Sequence, residues 1–234
     1  MCGRYTLSKK EHFEQMLREA GFVFDEFSDI RLIPRFNIAP SQQIPVILDE
    51  APRTITSAKW GLIPSWAKDE KIGGSLTNAR AETVMEKPAF RTSFRKRRCW
   101  VPADGFYEWK KTPIGKQPYR FTMKDESLFF FAGLWEIWRN AEGKDVRTVT
   151  LITTEPNAVT QSVHDRMPVI LPPENRDAWL LKETPVETLK SLLVPYPAEA
   201  MQAIPVSTAV NSAKYDEPEL IAPLASPGEF RLEG

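Results

Sequence analysis

A thiol and an α-amine on one residue are the first chemistry this sequence offers. Cys2 follows Met1, so loss of Met1 would leave an N-terminal cysteine. An α-amine titrates at about 8 and a cysteine thiol at about 8.5, so small shifts make both nucleophilic at neutral pH. Gly3 keeps the surroundings uncrowded, and Arg4 could favour the thiolate or hold an anion. Position alone fits an incidental cysteine equally well, so other groups must decide.

His164 stands in Val163-His164-Asp165-Arg166-Met167-Pro168 and is one of two histidines. Its ordinary pKa suits general acid–base work, although a lone histidine is more often a partly buried polar residue. The other, His12, reads as the solvated side of a helix. Glu108 lies in Gly105-Phe106-Tyr107-Glu108-Trp109-Lys110, where alternation puts Phe106, Glu108 and Lys110 on one face of a strand. A carboxylate among aromatics would be desolvated and suited to proton transfer, while alternation alone slightly favours a solvated outer face. Asn78 and Arg80 offer an amide that could orient a reacting group and a guanidinium that could hold a phosphate. Trp66 could stack a base, whereas Trp60 reads as core. The basic run 90–98 fits either a phosphate track or a solvated helix face. Cys99 reads as a small buried hydrophobe.

The elements that must position these groups are mostly strands. Ser8 and Glu11 form a capping-box pattern, followed by Phe13, Met16, Leu17 and Ala20 at helical spacing up to Gly21. Strand chemistry occupies 44–48, 54–60, 99–101, 106–109, 119–123, 128–135 and 146–153. A Gly-, Pro- and Ser-rich loop covers 62–78, and helices are expected at 88–98, 155–163, 173–181 and 186–193. Strands without regular helical crossovers predict an α+β fold: a single domain, 1–234, with a mostly antiparallel, barrel-like sheet flanked by helices.

Composition narrows the function classes. The chain has 31 basic and 31 acidic residues, so nucleic-acid binding would require charge segregated on one face. No stretch approaches the roughly 20 apolar residues of a membrane span, and the first ten residues lack a signal-peptide core, which predicts a cytoplasmic protein with no membrane partner. Two cysteines make no disulfide framework. There is no CxxC pair, HExxH, phosphate loop ending in GK or GxSxG elbow, and the two histidines are far apart, so neither a metal nor a cofactor is expected.

Six ordered blocks carry a family resemblance: Met1-Cys2-Gly3-Arg4, Arg35-Phe36-Asn37-Ile38-Ala39-Pro40, Trp60-Gly61-Leu62-Ile63-Pro64, Asn78-Ala79-Arg80-Ala81-Glu82, Gly105-Phe106-Tyr107-Glu108-Trp109 and His164-Asp165-Arg166-Met167-Pro168. Together they resemble the SOS-response-associated peptidase family over about residues 1–212. The resemblance implies a DNA-damage role: a cleft for single-stranded DNA, exposure of Cys2 by autocatalytic loss of Met1, and capture of abasic sites as a thiazolidine on Cys2 with lyase-like chemistry. A monomer with no cofactor is expected, drawn to the nucleoid on damage if bacterial. Cys2, Asn78, Glu108 and His164 match its active-site positions, and Arg4, Trp66, Arg80 and Arg166 match positions near DNA.

Two rival readings use the same residues. Class II glutamine amidotransferases also begin Met-Cys-Gly and use the thiol with its own amine as base, but the resemblance beyond residue 4 belongs to the other family. A non-covalent single-stranded DNA-binding module would make Cys2 incidental.

Overall fold

β-Branched and aromatic residues recur here at intervals too short for helical crossovers, and the sheet they build closes on itself. The computed structural model describes residues 2–9, 14, 15, 17, 19, 21–24 and 33–224. Its strands are β1 (Tyr5–Leu7), β2 (Val23–Phe24), β3 (Arg35–Ile38), β4 (Gln43–Leu48), β5 (Ala51–Trp60), β6 (Asn78–Arg80), β7 (Arg98–Ala103), β8 (Gly105–Thr112), β9 (Gly115–Met123), β10 (Phe129–Arg139), β11 (Asp145–Thr154), β12 (Met167–Pro168), β13 (Ile170–Leu171) and β14 (Met201–Pro205).

An antiparallel run β5-β4-β7-β10-β11 becomes a ring because Lys59 and Trp60 of β5 pair in parallel with Thr148 and Val149 of β11. Closure along this joint removes two sheet edges. A second, antiparallel sheet runs β14-β9-β8-β1-β3. The two share one core, in which Tyr5 of the second sheet meets Trp60 and Phe131 of the ring edge-on and Phe106 stacks on Phe121. This is the barrel-like α+β fold that the strand pattern predicts.

The two sheets are joined where β7 runs into β8 across Asp104. Its buried carboxylate accepts from the Thr6 and Ser8 hydroxyls and the Ser8 and Lys9 backbone N–H groups, and pairs with Arg120 at 3.1 Å. Gly105 is required beside it, since a Cβ there would come within 2.7 Å of Arg120 Nε and 2.8 Å of Thr6 Oγ1. This corner fixes β1, and with it the setting of Cys2.

The end of β11 gathers the rest of the site. β6 pairs in parallel with it, Asn78 opposite Leu151 and Arg80 opposite Thr153, while β12 pairs on the other edge, Pro168 opposite Thr153. The chain reaches β6 from β5 by a loop that is pinched shut, the Gly61 and Gly73 backbones lying so close that a Cβ on Gly61 would stand 2.7 Å from Gly73 O. Within that loop a 3-10 helix, Glu70–Ser75, forms where only irregular chain was expected.

All seven expected strands are present. Of the helix expected from Ser8 to Gly21, residues 14, 15, 17 and 19 are described and helical, and Leu17 is buried; His12 lies outside the described residues. The basic run divides. Arg91–Lys96 is helical with Phe94 buried, and Arg98 begins β7, its buried guanidinium donating to the carbonyls of Trp179 (2.6 Å), Leu181 (2.8 Å) and Phe94 (3.0 Å). Arg97 pairs with Glu136, which leaves Arg91, Arg95 and Lys96 facing solvent and no continuous phosphate track. No helix of the described residues is long and apolar enough to cross a membrane.

Candidate active site

Cys2 is wholly buried just before β1, its Sγ 3.7 Å from the Arg4 carbonyl. The sequence suggests a thiol poised near neutrality; the structure corrects this. Exclusion of water pushes the Cys2 pKa far up, and the negative charge of Glu108 adds to the effect, so the sulfur is held as S–H. Asn78, placed by the β6–β11 pairing, donates from Nδ2 to the Cys2 carbonyl at 2.8 Å and to Thr77 Oγ1 at 3.2 Å. Its Oδ1 is buried and has no hydrogen-bond partner among the described residues, which leaves an acceptor available beside Cys2.

Glu108 is 2% exposed, so the solvated-face reading fails. β8 lies between β1 and β9, and a further layer covers it: Val206, Val210 and Leu220 pack on Tyr107. Burial raises the Glu108 carboxyl to about 7. His164, in the turn before β12, sets Nε2 3.7 Å from Glu108 Oε2. Burial lowers the His164 pKa below its ordinary value, so the ring is mainly neutral at pH 7. Its Nδ1 accepts the Arg166 backbone N–H at 3.0 Å, which leaves the proton of the neutral ring on Nε2, facing Glu108. The Asp165 carboxylate, 3.0 Å from the same Nδ1, becomes its acceptor only when the ring gains a second proton. A carboxyl raised to about 7 and an imidazole lowered below its ordinary value thus stand side by side.

Glu108 and His164 open into a cavity of about 450 Å³, also lined by Trp109, Lys111, Lys116 and Asn211. Cys2 is not among the lining residues. The two lysines, Trp109 and Asn211 carried no site signal in the sequence, because only the pairing of β8 with β9 and the return of the chain at residue 211 bring them to Glu108. Trp109 is fixed by its Nε1–H donating to Asn211 Oδ1 at 2.7 Å.

The sequence model of the SOS response associated peptidase family matches residues 1–213. The chain belongs to that family. Among its relatives, the abasic site processing protein YoqW of Bacillus subtilis is 48% identical over 225 residues, covering 94% of this chain and 99% of the relative. The abasic site processing protein HMCES of Gallus gallus is 31% identical over 226 residues, covering 83% of this chain and 67% of its own length. A crystal structure of a protein from Bacteroides thetaiotaomicron superposes with a TM-score of 0.85 at 28% identity over 96% of this chain and all of that one; one from Bordetella bronchiseptica gives 0.74 at 28% over 88% of this chain and all of the other.

Family membership agrees with the order of the six sequence blocks and leaves the amidotransferase reading without support beyond residue 4. The positions expected near DNA fall into two kinds. Trp66 is 61% exposed and Arg80 is exposed, both open to a ligand. Arg4 instead donates to the carbonyls of Val210 (2.6 Å) and Asn211 (3.1 Å) and to Asn37 Oδ1 (2.8 Å). Arg166 grips Glu82 with two nitrogens and donates to the Thr153 carbonyl at 2.6 Å. That hydrogen bonding holds the Glu82 carboxyl below its usual range. A phosphate at Arg166 would have to compete with Glu82.

Proposed function

We propose that this chain processes abasic sites in single-stranded DNA by bonding them covalently to Cys2. The observation that carries the reading is the convergence of Cys2, Asn78, Glu108 and His164 from four segments of a chain whose relatives are named for abasic-site processing. Met1 must first be lost, because the Met1–Cys2 amide holds no nucleophilic amine; removal by the chain itself is the self-processing peptidase step. His164 then assists opening of the sugar hemiacetal to the aldehyde, and the Cys2 amine adds to C1′. Glu108, with its carboxyl near 7, passes the protons as water leaves and the imine forms. Asn78 Oδ1 orients the amine or the sugar. The thiol adds across the C=N bond, its proton moving to nitrogen, and the thiazolidine closes. An imine that escapes closure can undergo β-elimination, the lyase-like branch. Trp66 and Arg80 supply stacking and phosphate contact beside the lesion, with Arg4 and Arg166 framing the site.

Intact mass before and after incubation with an abasic-site oligonucleotide tests this. Wild type gains the oligonucleotide and keeps it under denaturation. Cys2→Ser stops at an imine that only borohydride traps, and an uncleavable N-terminal extension gives no stable product. A robust adduct from the extended protein would show that the thiol acts alone and overturn the scheme.

A further inference from the structure

Lys111 and Lys116 face each other across the β8–β9 hairpin, in register, on the wall of the cavity that holds Glu108 and His164. Two like charges opposed on neighbouring strands repel, so the arrangement costs stability by itself. Both side chains are exposed, and neither has an ion pair among the described residues. The chain carries equal numbers of acidic and basic residues, so a bare cationic pair is not the by-product of a basic protein. Meanwhile Arg4 and Arg166, expected to hold phosphate, are engaged by protein acceptors. Arg80 is open as well but does not line this cavity, so the positive charge open to a ligand on its wall is the hairpin's.

We propose that Lys111 and Lys116 together bind a backbone phosphodiester of the DNA strand adjacent to the abasic nucleotide, making the β8–β9 hairpin one wall of the strand's path into the site. A phosphate between them removes the repulsion that the empty pair suffers, which explains why two lysines sit in register there. The assignment rests on single-stranded DNA being the substrate.

The test compares wild type, Lys111→Gln/Lys116→Gln and Lys111→Arg/Lys116→Arg in binding an undamaged single-stranded oligonucleotide across a salt series. Loss of one phosphate contact lowers the slope of log K against log salt by about 0.7, which at about 0.1 M salt is roughly fivefold in affinity. The Gln variant should show both changes and the Arg variant neither; an Arg variant at wild-type affinity also shows that charge, not folding, is being read. With abasic oligonucleotides carrying a single methylphosphonate beside the lesion, one position should weaken wild type and leave the Gln variant unmoved. Wild-type affinity and slope in the Gln variant, or an equal methylphosphonate penalty in both proteins, would overturn the hairpin assignment alone. A wild type that neither binds the strand nor forms an adduct would overturn the substrate reading and this assignment with it.

Discussion

Two carboxylates four residues apart, Asp104 and Glu108, are buried almost equally, at 3% and 2% exposure, yet stand in opposite surroundings. Asp104 meets two hydroxyls, two backbone N–H groups and a guanidinium, all suited to a negative charge. Glu108 meets a neutral imidazole at 3.7 Å and a thiol that its own charge disfavours as thiolate, and burial raises its pKa to about 7. Depth of burial therefore does not by itself set whether a carboxylate stays charged. What separates them is the balance: the partners of Asp104 suit a negative charge, whereas at Glu108 desolvation outweighs the interactions that favour it.

The largest test of this contrast is Asp104→Ala. It strands the Arg120 guanidinium in a buried site, and breaking such a pair costs about 3–5 kcal/mol. Urea denaturation at neutral pH should show that loss, with β1 and adduct formation failing together. A cost under about 1 kcal/mol would mean that the corner is not what holds the N-terminal strand.

Glu108→Gln should move stability the other way. Since the folded pKa lies above the unfolded one, the folded chain holds an extra proton between about 4.5 and 7; the associated stability is fully present below that window and lost as pH rises through it. At pH 8 the variant should exceed wild type by at most about 3 kcal/mol, and the two should coincide at about pH 4. Adduct formation should slow by about 100-fold or more. Thermal melts at the two pH values check the first part; equal melts at pH 8 would place Glu108 in the same class as Asp104.

Asn78→Ala is the smallest perturbation. It removes one hydrogen bond to the Cys2 carbonyl, worth about 1 kcal/mol, and also an unmatched buried oxygen, so the melt should shift little. Adduct formation should still slow by about tenfold. A large loss of stability with an unaltered rate would make Asn78 part of the frame.

Local chemistry made the long strands legible: β-branched and aromatic runs bounded by turns coincide with β4, β5 and β7 to β11. The short strands β1, β3, β6 and β14 were not legible, because each is held by a distant partner rather than by its own pattern. Alternation misjudged Glu108 because it assumes one wet face, whereas β8 is covered on both. Residue type brought Arg4 to notice, and the family resemblance brought Arg166. Their acceptors, 206 and 84 residues away, could not be inferred from spacing. The cationic hairpin pair needed the β8–β9 register to be seen at all.

The bonds from Arg4 to Val210 and Asn211 carry a consequence for biogenesis. Asn37 reaches the carbonyls of Val210, Ser212 and Tyr215, and Asp216 binds the backbone of Phe36 and Asn37, so the first strands are completed by residues near the far end of the chain. A ribosome delivers those residues last, and contacts of such long sequence separation form late. Throughout synthesis the cysteine exists, but the pocket that raises its thiol and the acid beside it is unfinished. A nascent or truncated chain that stops before residue 205 would carry Cys2 without these contacts, so the setting of the proposed nucleophile is acquired only with the finished fold.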